Sequence, residues 1–253
     1  MRDQLRLLAR AIKYRYKLDP AEVRFVLRTL RPGMCAIDLG AHKGAYTYWL
    51  RRAVGRSGRV VAVEAQQRLA ERLDRLMRGS ANVDVVWAAI SDRTGTGRLS
   101  TRADGSSHGA SITGFGDEPD APTSEVPTTT LGDLLASRGL DRLDFIKCDV
   151  EGHEVAVFEA SVETLAQHRP TILVECEERH GGGDGRDGGD GGDGGGVEPG
   201  NVTRLAGVVE PLGYRMRFFC AGTLRPRSEF DPATHQRYGH GEYCNNWVLD
   251  VPG

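Results

Sequence analysis

Two acids and two glycines at particular spacings suggest a cofactor site. In AIDLGAHKG (36–44), Asp38 precedes Gly40 by two residues and Gly44 follows, and Glu64 comes near the end of the run RVVAVEA (59–65). The apolar residues before Gly40 predict a buried parallel strand. The glycines turn it into a helix beginning near Ala45, and Glu64 ends the next strand at the same edge of the sheet. A dinucleotide fingerprint, G-x-G-x-x-G, is not met here, and an acid in front of the turn suits a cofactor that carries positive charge. S-adenosylmethionine (SAM) brings an ammonium and a sulfonium for a carboxylate such as Asp38, and a ribose diol from which Glu64 can accept two hydrogen bonds. As local structure alone, the same segment reads as a tight strand-to-helix turn.

A second cluster lies in IKCDVEGHE (146–154), where Asp149, Glu151, His153 and Glu154 follow a buried strand. Lys147 sits inside that strand on the side of Asp149. An ammonium in a central strand needs a carboxylate partner, and Asp38, Asp149 and Glu175 are the nearest in the expected strand order. Glu151-Gly152 also reads as a cap and turn. The next strand ends in the same way, with Glu175, Glu177, Glu178 and His180, so neighbouring strands present acids and histidines beside the glycine turn.

Alternating strands and helices must bring these clusters together. Periodicity predicts strands over 35–38, 60–64 and 83–90, a fourth in LDFIKCDVEG (143–152), a fifth in TILVEC (171–176), and two last strands over 214–219 and 243–249. Helices are expected over 46–53, around Leu69, Leu73 and Leu76, over 131–138 with Thr130 as cap, and over 155–167 and 201–210. Between strands three and four, a short hairpin near 97–101 and a loop, GSSHGAS (105–111), are expected. The sum is an α/β chain with a doubly wound, seven-stranded sheet whose last strand is antiparallel.

Residues 1–33 form their own compositional unit. Leu5, Leu8 and Ile12, then Val23, Val26 and Leu30, recur at helical spacing among many Arg and Lys, and two helices are expected, broken at Asp19-Pro20 with Pro20 first in its helix and Asp19 capping it. The apolar stripe is expected to pack on the sheet as a lid or docking segment, leaving the basic face in water. Residues 34–253 would form one large domain. A flexible insertion is expected at about 181–196, where GGGDGRDGGDGGDGGG has no apolar residue to bury.

With 33 Lys and Arg against 35 Asp and Glu, the chain has no global field for nucleic acid, and no apolar run approaches a membrane span. Its five cysteines, odd in number and without a C-x-x-C pair, fit free thiols in a reducing cytoplasm. The expected partner is a small-molecule acceptor, with a second copy of the chain left open. Nucleic acid and stable membrane insertion are not expected.

Five segments, DLGAHKGAYT, VPTTTLGDLL, LDFIKCDVEGHE, RPTILVECE and NNWVL, occur in the order and spacing of FkbM-type SAM-dependent methyltransferases, which the chain resembles from residue 34 to 249. The specific part is DVEGHE. The resemblance implies a class I methyltransferase (Rossmann-like) fold and O-methylation of a hydroxyl on a small metabolite, such as a sugar or a polyketide-type natural product. It also implies that Asp38, Gly40, Ala41 and Gly44 shape the methionine end of SAM while Glu64 holds the ribose. Ala89, within the 88–90 segment, and Asp92 would meet the adenine, and His42 would touch cofactor or acceptor. Asp92 reads equally as a turn residue and His42 as an ordinary loop histidine. The glycine-aspartate tract departs from the family pattern.

Methyl transfer to an alcohol needs the oxygen held in line with the methyl group and a base for its proton. His153 is the first choice of base, with Asp149 or Glu151 orienting it or the acceptor, and Glu175 and His180 in reserve. The same carboxylates could instead hold Mg2+ against two adjacent hydroxyls. Two other classes stay in view: an NAD-binding Rossmann oxidoreductase, which the missing glycine disfavours, and a non-catalytic binding module on the same scaffold, which the acid cluster disfavours. A nucleic-acid methyltransferase has only the basic N-terminus in its favour.

Overall fold

Four short apolar runs, 35–39, 59–64, 145–148 and 171–175, become parallel strands largely buried on both faces, and a fifth, 83–87, joins them half-buried at the edge of the sheet. The structure, a computed structural model, describes residues 2–101, 110–112, 122–178, 199–237, 239 and 243–252. The strands are β1 (Cys35–Leu39), β2 (Arg59–Glu64), β3 (Val83–Trp87), β4 (Ala89–Ile90), β5 (Gly95–Ser100), β6 (Ser111–Ile112), β7 (Thr123–Thr129), β8 (Phe145–Cys148), β9 (Thr171–Glu175), β10 (Arg215–Cys220), β11 (Thr223–Pro226) and β12 (Asn246–Asp250). The helices are α1 (Arg2–Lys13), α2 (Pro20–Thr29), α3 (Ala45–Val54), α4 (Gln67–Met77), α5 (Leu131–Ser137), α6 (Glu154–Glu159), α7 (Val162–His168), α8 (Asn201–Val209) and α9 (Pro232–His235).

The main sheet has eight strands in the order β11-β10-β12-β9-β8-β1-β2-β3. Seven of its members, β1, β2, β3, β8, β9, β10 and β12, are those expected, and β12 runs antiparallel to both β9 and β10. The eighth, β11, was not foreseen: the chain turns back after Cys220 and adds an antiparallel edge. The chain winds from β1 outward through β2 and β3, then returns to β8 on the other side. This reversal opens a crevice between the carboxyl ends of β1 and β8, where doubly wound sheets bind ligands. Register places Asp38 beside Lys147 across that boundary.

Four local expectations need correction. The strand expected over 83–90 breaks at Ala88: β3 joins the main sheet, while β4 turns into a second sheet of order β4-β7-β5-β6. In that sheet β5 pairs antiparallel with the distant β7 and not within a short hairpin, because β7 alternates and buries Val126 and Thr128. The helix expected over 155–167 divides into α6 and α7 at Ser161, whose hydroxyl donates to Val157 O (2.6 Å). Asp19 makes no side-chain cap, since its carboxylate accepts the Tyr46 hydroxyl (2.8 Å), although Pro20 does open α2. Thr130 caps α5 as expected, accepting from Asp133 N (3.1 Å). The expected insertion at 181–196, most of the 105–111 loop and His180 lie outside the described residues.

The N-terminal helices lie against the sheet, but α1 is rotated relative to expectation. Leu7 and Ala11 are buried while Leu5, Leu8 and Ile12 face solvent. Two bonds fix that rotation: Trp49 Nε1 donates to Ala11 O (2.9 Å) from α3, and Gln4 Nε2 donates to Leu76 O (2.7 Å) on α4. A turn of π-helix (Tyr14–Leu18) then leads to α2, whose Val23 and Val26 are wholly buried as the stripe predicts. All five cysteines are free thiols.

Candidate active site

The glycine turn and the DVEG turn, distant in sequence, touch through their backbones. Asp149 N donates to Leu39 O (3.0 Å), and at Gly40, held at φ 76°, a Cβ would lie 1.8 Å from Asp149 O. Only glycine permits this approach. Around the contact opens a cleft of about 980 Å³, counted with the solvent at its mouth, at the strand ends of β1, β2 and β8.

On the β1–β2 side the carboxylates are firmly held. Asp38 is buried and accepts the Thr47 hydroxyl (2.5 Å). Burial pushes its pKa up to about 6 against the pull of Thr47 and Lys147. Glu64, also buried, accepts His42 N through one oxygen and Gln66 N through the other, both at 2.7 Å. Burial raises its pKa, and these two backbone donors oppose the rise. Each oxygen keeps a lone pair for a further donor.

Gly40, Ala41 and His42 line the cleft, and so does Ala89, in an apolar slot with Ala65, Ala88, Ile90, Leu99 and Ile112. Gly44 and Asp92 do not. Gly44 caps α3 at φ 80°, where a Cβ would meet Leu73 and Leu7, so it serves the packing of α4 and α1. Asp92 turns aside to accept the Ser91 hydroxyl (3.1 Å).

On the β8–β9 side the charges are more loosely met. Lys147, 2% exposed, places Nζ 3.9 Å from Asp149 Oδ2, 5.1 Å from the Tyr46 ring centre and 3.2 Å from Cys148 O. Burial opposes its charge, but Asp149 and Glu175 outweigh that and raise its pKa. Of the three carboxylates open as partners of Lys147, namely Asp38, Asp149 and Glu175, Asp149 forms the ion pair. Glu175 lies outside the cleft lining and accepts from Asn245 Nδ2; burial, then Asp149, push its pKa up to about 8. The cap anticipated for Glu151 is made by Glu154, whose buried carboxylate accepts Val150 N and Gly152 N (both 3.1 Å). Glu151 instead sits exposed at the cleft, at φ 53°. Glu178 belongs to α8, where it accepts from Thr203 N and the Thr203 hydroxyl.

His153 lines the cleft, but its ring is not oriented by Asp149 or Glu151. Nε2 lies 3.0 Å from Ser91 Oγ, and Nδ1 is buried without a partner among the described residues. Burial lowers its pKa, leaving a neutral ring. With the Ser91 hydroxyl directed to Asp92, Nε2 carries the proton and Nδ1 the enclosed lone pair. Among the described residues no group of three His, Cys, Asp or Glu side chains could hold a metal ion.

Sequence reasoning overlooked Arg10, Tyr14, Lys43 and Tyr46, all of which line the cleft. Burial lowers the pKa of Arg10 and Lys43, and the charges of Arg10 and Arg72 add to the effect on Lys43. Their only signal was the basic character of the first helix and of the glycine turn. The cleft thus sets carboxylates on its floor, cations on the α1 wall and an apolar slot beyond Glu64. Those features suit an α-amino acid joined to a ribose and a flat base.

Residues 38–216 match the model of the methyltransferase FkbM domain. No curated protein matches the chain. Among solved structures, the FkbM methyltransferase of Methylobacillus flagellatus is 11% identical with a TM-score of 0.50, covering 98% of this chain and 55% of its own, so this chain spans about half its length. A SAM-dependent methyltransferase from Aquifex aeolicus is 15% identical (TM-score 0.45; 98% and 97% covered). An O-methyltransferase from Bacillus cereus, in complex with S-adenosylhomocysteine, is 14% identical (TM-score 0.48; 100% and 91% covered).

Proposed function

The chain belongs to the FkbM family of SAM-dependent methyltransferases, and from that premise we propose that it O-methylates a hydroxyl of a small metabolite, a sugar or a polyketide-type product. The observation that carries this reading is the joining of the glycine turn to Asp149, which puts a carboxylate of the second cluster at the floor of the cofactor cleft.

In this reading Asp38 meets the ammonium of the cofactor, Glu64 its ribose hydroxyls, and Arg10 with Lys43 its carboxylate. The slot of Ala88, Ala89, Ile90 and Leu99 takes the adenine. When bound, SAM supplies a sulfonium methyl open to displacement by an oxygen nucleophile. Asp149 accepts the hydrogen bond of the acceptor hydroxyl, and takes its proton as the oxygen loses electron density. Lys147, fixed beneath, positions that carboxylate. Glu151 at the exposed rim contacts the far side of the acceptor. His153 acts through Ser91 and Asp92 to hold the loop after β4 against the DVEG turn, a positioning role in place of the base role expected from sequence.

The test is calorimetry with S-adenosylhomocysteine, with binding expected in the low micromolar range, about -8 kcal/mol. It is followed by transfer of a labelled methyl group from SAM to a panel of hydroxylated sugars and polyketides. Binding of NAD in place of S-adenosylhomocysteine would overturn the reading, and transfer to nitrogen alone would overturn its O-methyl part.

A further inference from the structure

We propose that α1 and the turn after it dock the protein on an anionic lipid surface. Leu5, Leu8, Ile12 and Tyr16 recur at intervals of three and four residues, and thus form one stripe, which is 60%, 37%, 43% and 72% exposed in turn. Leu18, 46% exposed, ends the turn that follows. Five of the seven large apolar side chains exposed among the described residues therefore lie within fourteen positions of the chain. This is not the face that packs on the domain, because Leu7 and Ala11 already fill that role. Isolated exposed leucines need no explanation, whereas a contiguous stripe of them does.

Charge identifies what covers the stripe. Residues 2–31 hold nine Lys and Arg against three Asp and Glu, in a chain whose net charge is -2, so the remainder is strongly acidic. On the helical wheel Arg2, Arg6, Lys13 and Lys17 follow one flank of the stripe, and Arg15 stands on the other. A second copy would bring the same positive flank against itself, which disfavours a self-paired interface around this stripe. An anionic bilayer instead takes the leucines among its acyl chains and the cations among its headgroups. Among the described residues no helix is long and apolar enough to cross a membrane, so the contact is interfacial.

The experiment is co-sedimentation of the full chain with vesicles of phosphatidylcholine alone or mixed with phosphatidylglycerol. Binding should be about tenfold or more tighter to the mixed vesicles, and should weaken as salt is raised. The double variant Leu5→Ser, Ile12→Ser should lose about tenfold in affinity for mixed vesicles. Lys13→Glu with Lys17→Glu should lose the preference for phosphatidylglycerol. These side chains are exposed and outside the cleft, so thermal midpoint and S-adenosylhomocysteine binding should stay as in the parent, which separates this inference from the proposed function. Equal binding to both vesicles, unchanged binding by the leucine variant, or a concentration-dependent dimer that this variant dissociates would each overturn the proposal.

Discussion

At the ends of β1 and β2, Asp38 and Glu64 each have neutral hydrogen-bond donors within 2.7 Å, whereas at the ends of β8 and β9 the ammonium of Lys147 is 3.9 Å from Asp149. Beside that looser pair, Glu175 holds its proton to about pH 8 and His153 keeps a buried nitrogen without a partner among the described residues. The first arrangement is fixed before a ligand arrives, so little ordering remains to be done on binding. The second stores unmet electrostatic demand, as groups that must respond to a reacting proton do. In the proposed function the first arrangement recognises the cofactor and the second carries the acceptor chemistry.

Removing the carboxylate at the centre of the looser half is the strongest way to break this division. Asp149→Asn should lower turnover by about 10²-fold to 10⁴-fold, while S-adenosylhomocysteine affinity stays within about threefold of the parent. Single-turnover rates at saturating SAM, read beside calorimetry, check both parts. An equal loss in binding and rate would assign Asp149 to the cofactor half.

Lys147→Met tests whether the looser half depends on one buried cation. It leaves Asp149 without its counter-charge, and should cost about 3 kcal/mol of stability in urea unfolding, the low end for a broken buried pair since Asp149 is partly in water. A variant as stable as the parent would show that the acids take up protons at no cost.

The cofactor half predicts a smaller, separable effect. Glu64→Ala should weaken S-adenosylhomocysteine by about 1 to 3 kcal/mol, the range for a charge-assisted bond, with no change in the rate at saturating SAM. Loss of rate without loss of affinity would move Glu64 to the acceptor side.

A pH series sharpens the electrostatic contrast. The Glu175 carboxyl ordinarily titrates near 4.5 and is pushed up to about 8, so the folded state holds this proton more tightly than the unfolded chain. Its stabilising contribution is full below pH 4.5 and is lost as pH rises through about 8. Glu175→Gln should flatten that decline between those limits. The same pH slope in parent and variant, from denaturation series, would place the proton elsewhere.

The sequence by itself determined the strand-helix alternation, the seven core strands with the last one reversed, and the family. Each of these depends on local pattern: apolar runs for β1, β2, β8 and β9, the glycine turn at Gly40, and the DVEG segment after β8. It also named Asp38, Glu64 and Asp149, because an acid at the end of a buried strand has few local reasons to be there. Only the tertiary structure decided which neighbours those acids meet. Nothing near His153 in sequence points to Ser91, sixty-two residues away, and nothing near the glycine turn points to Arg10 on α1 or Tyr14 in the turn after it. The rotation of α1 was likewise undetermined, since Leu5, Leu8 and Ile12 form as good a stripe as Leu7 and Ala11 do. The bonds from Trp49 and Gln4 chose between them, and periodicity carries no information about such long-range contacts.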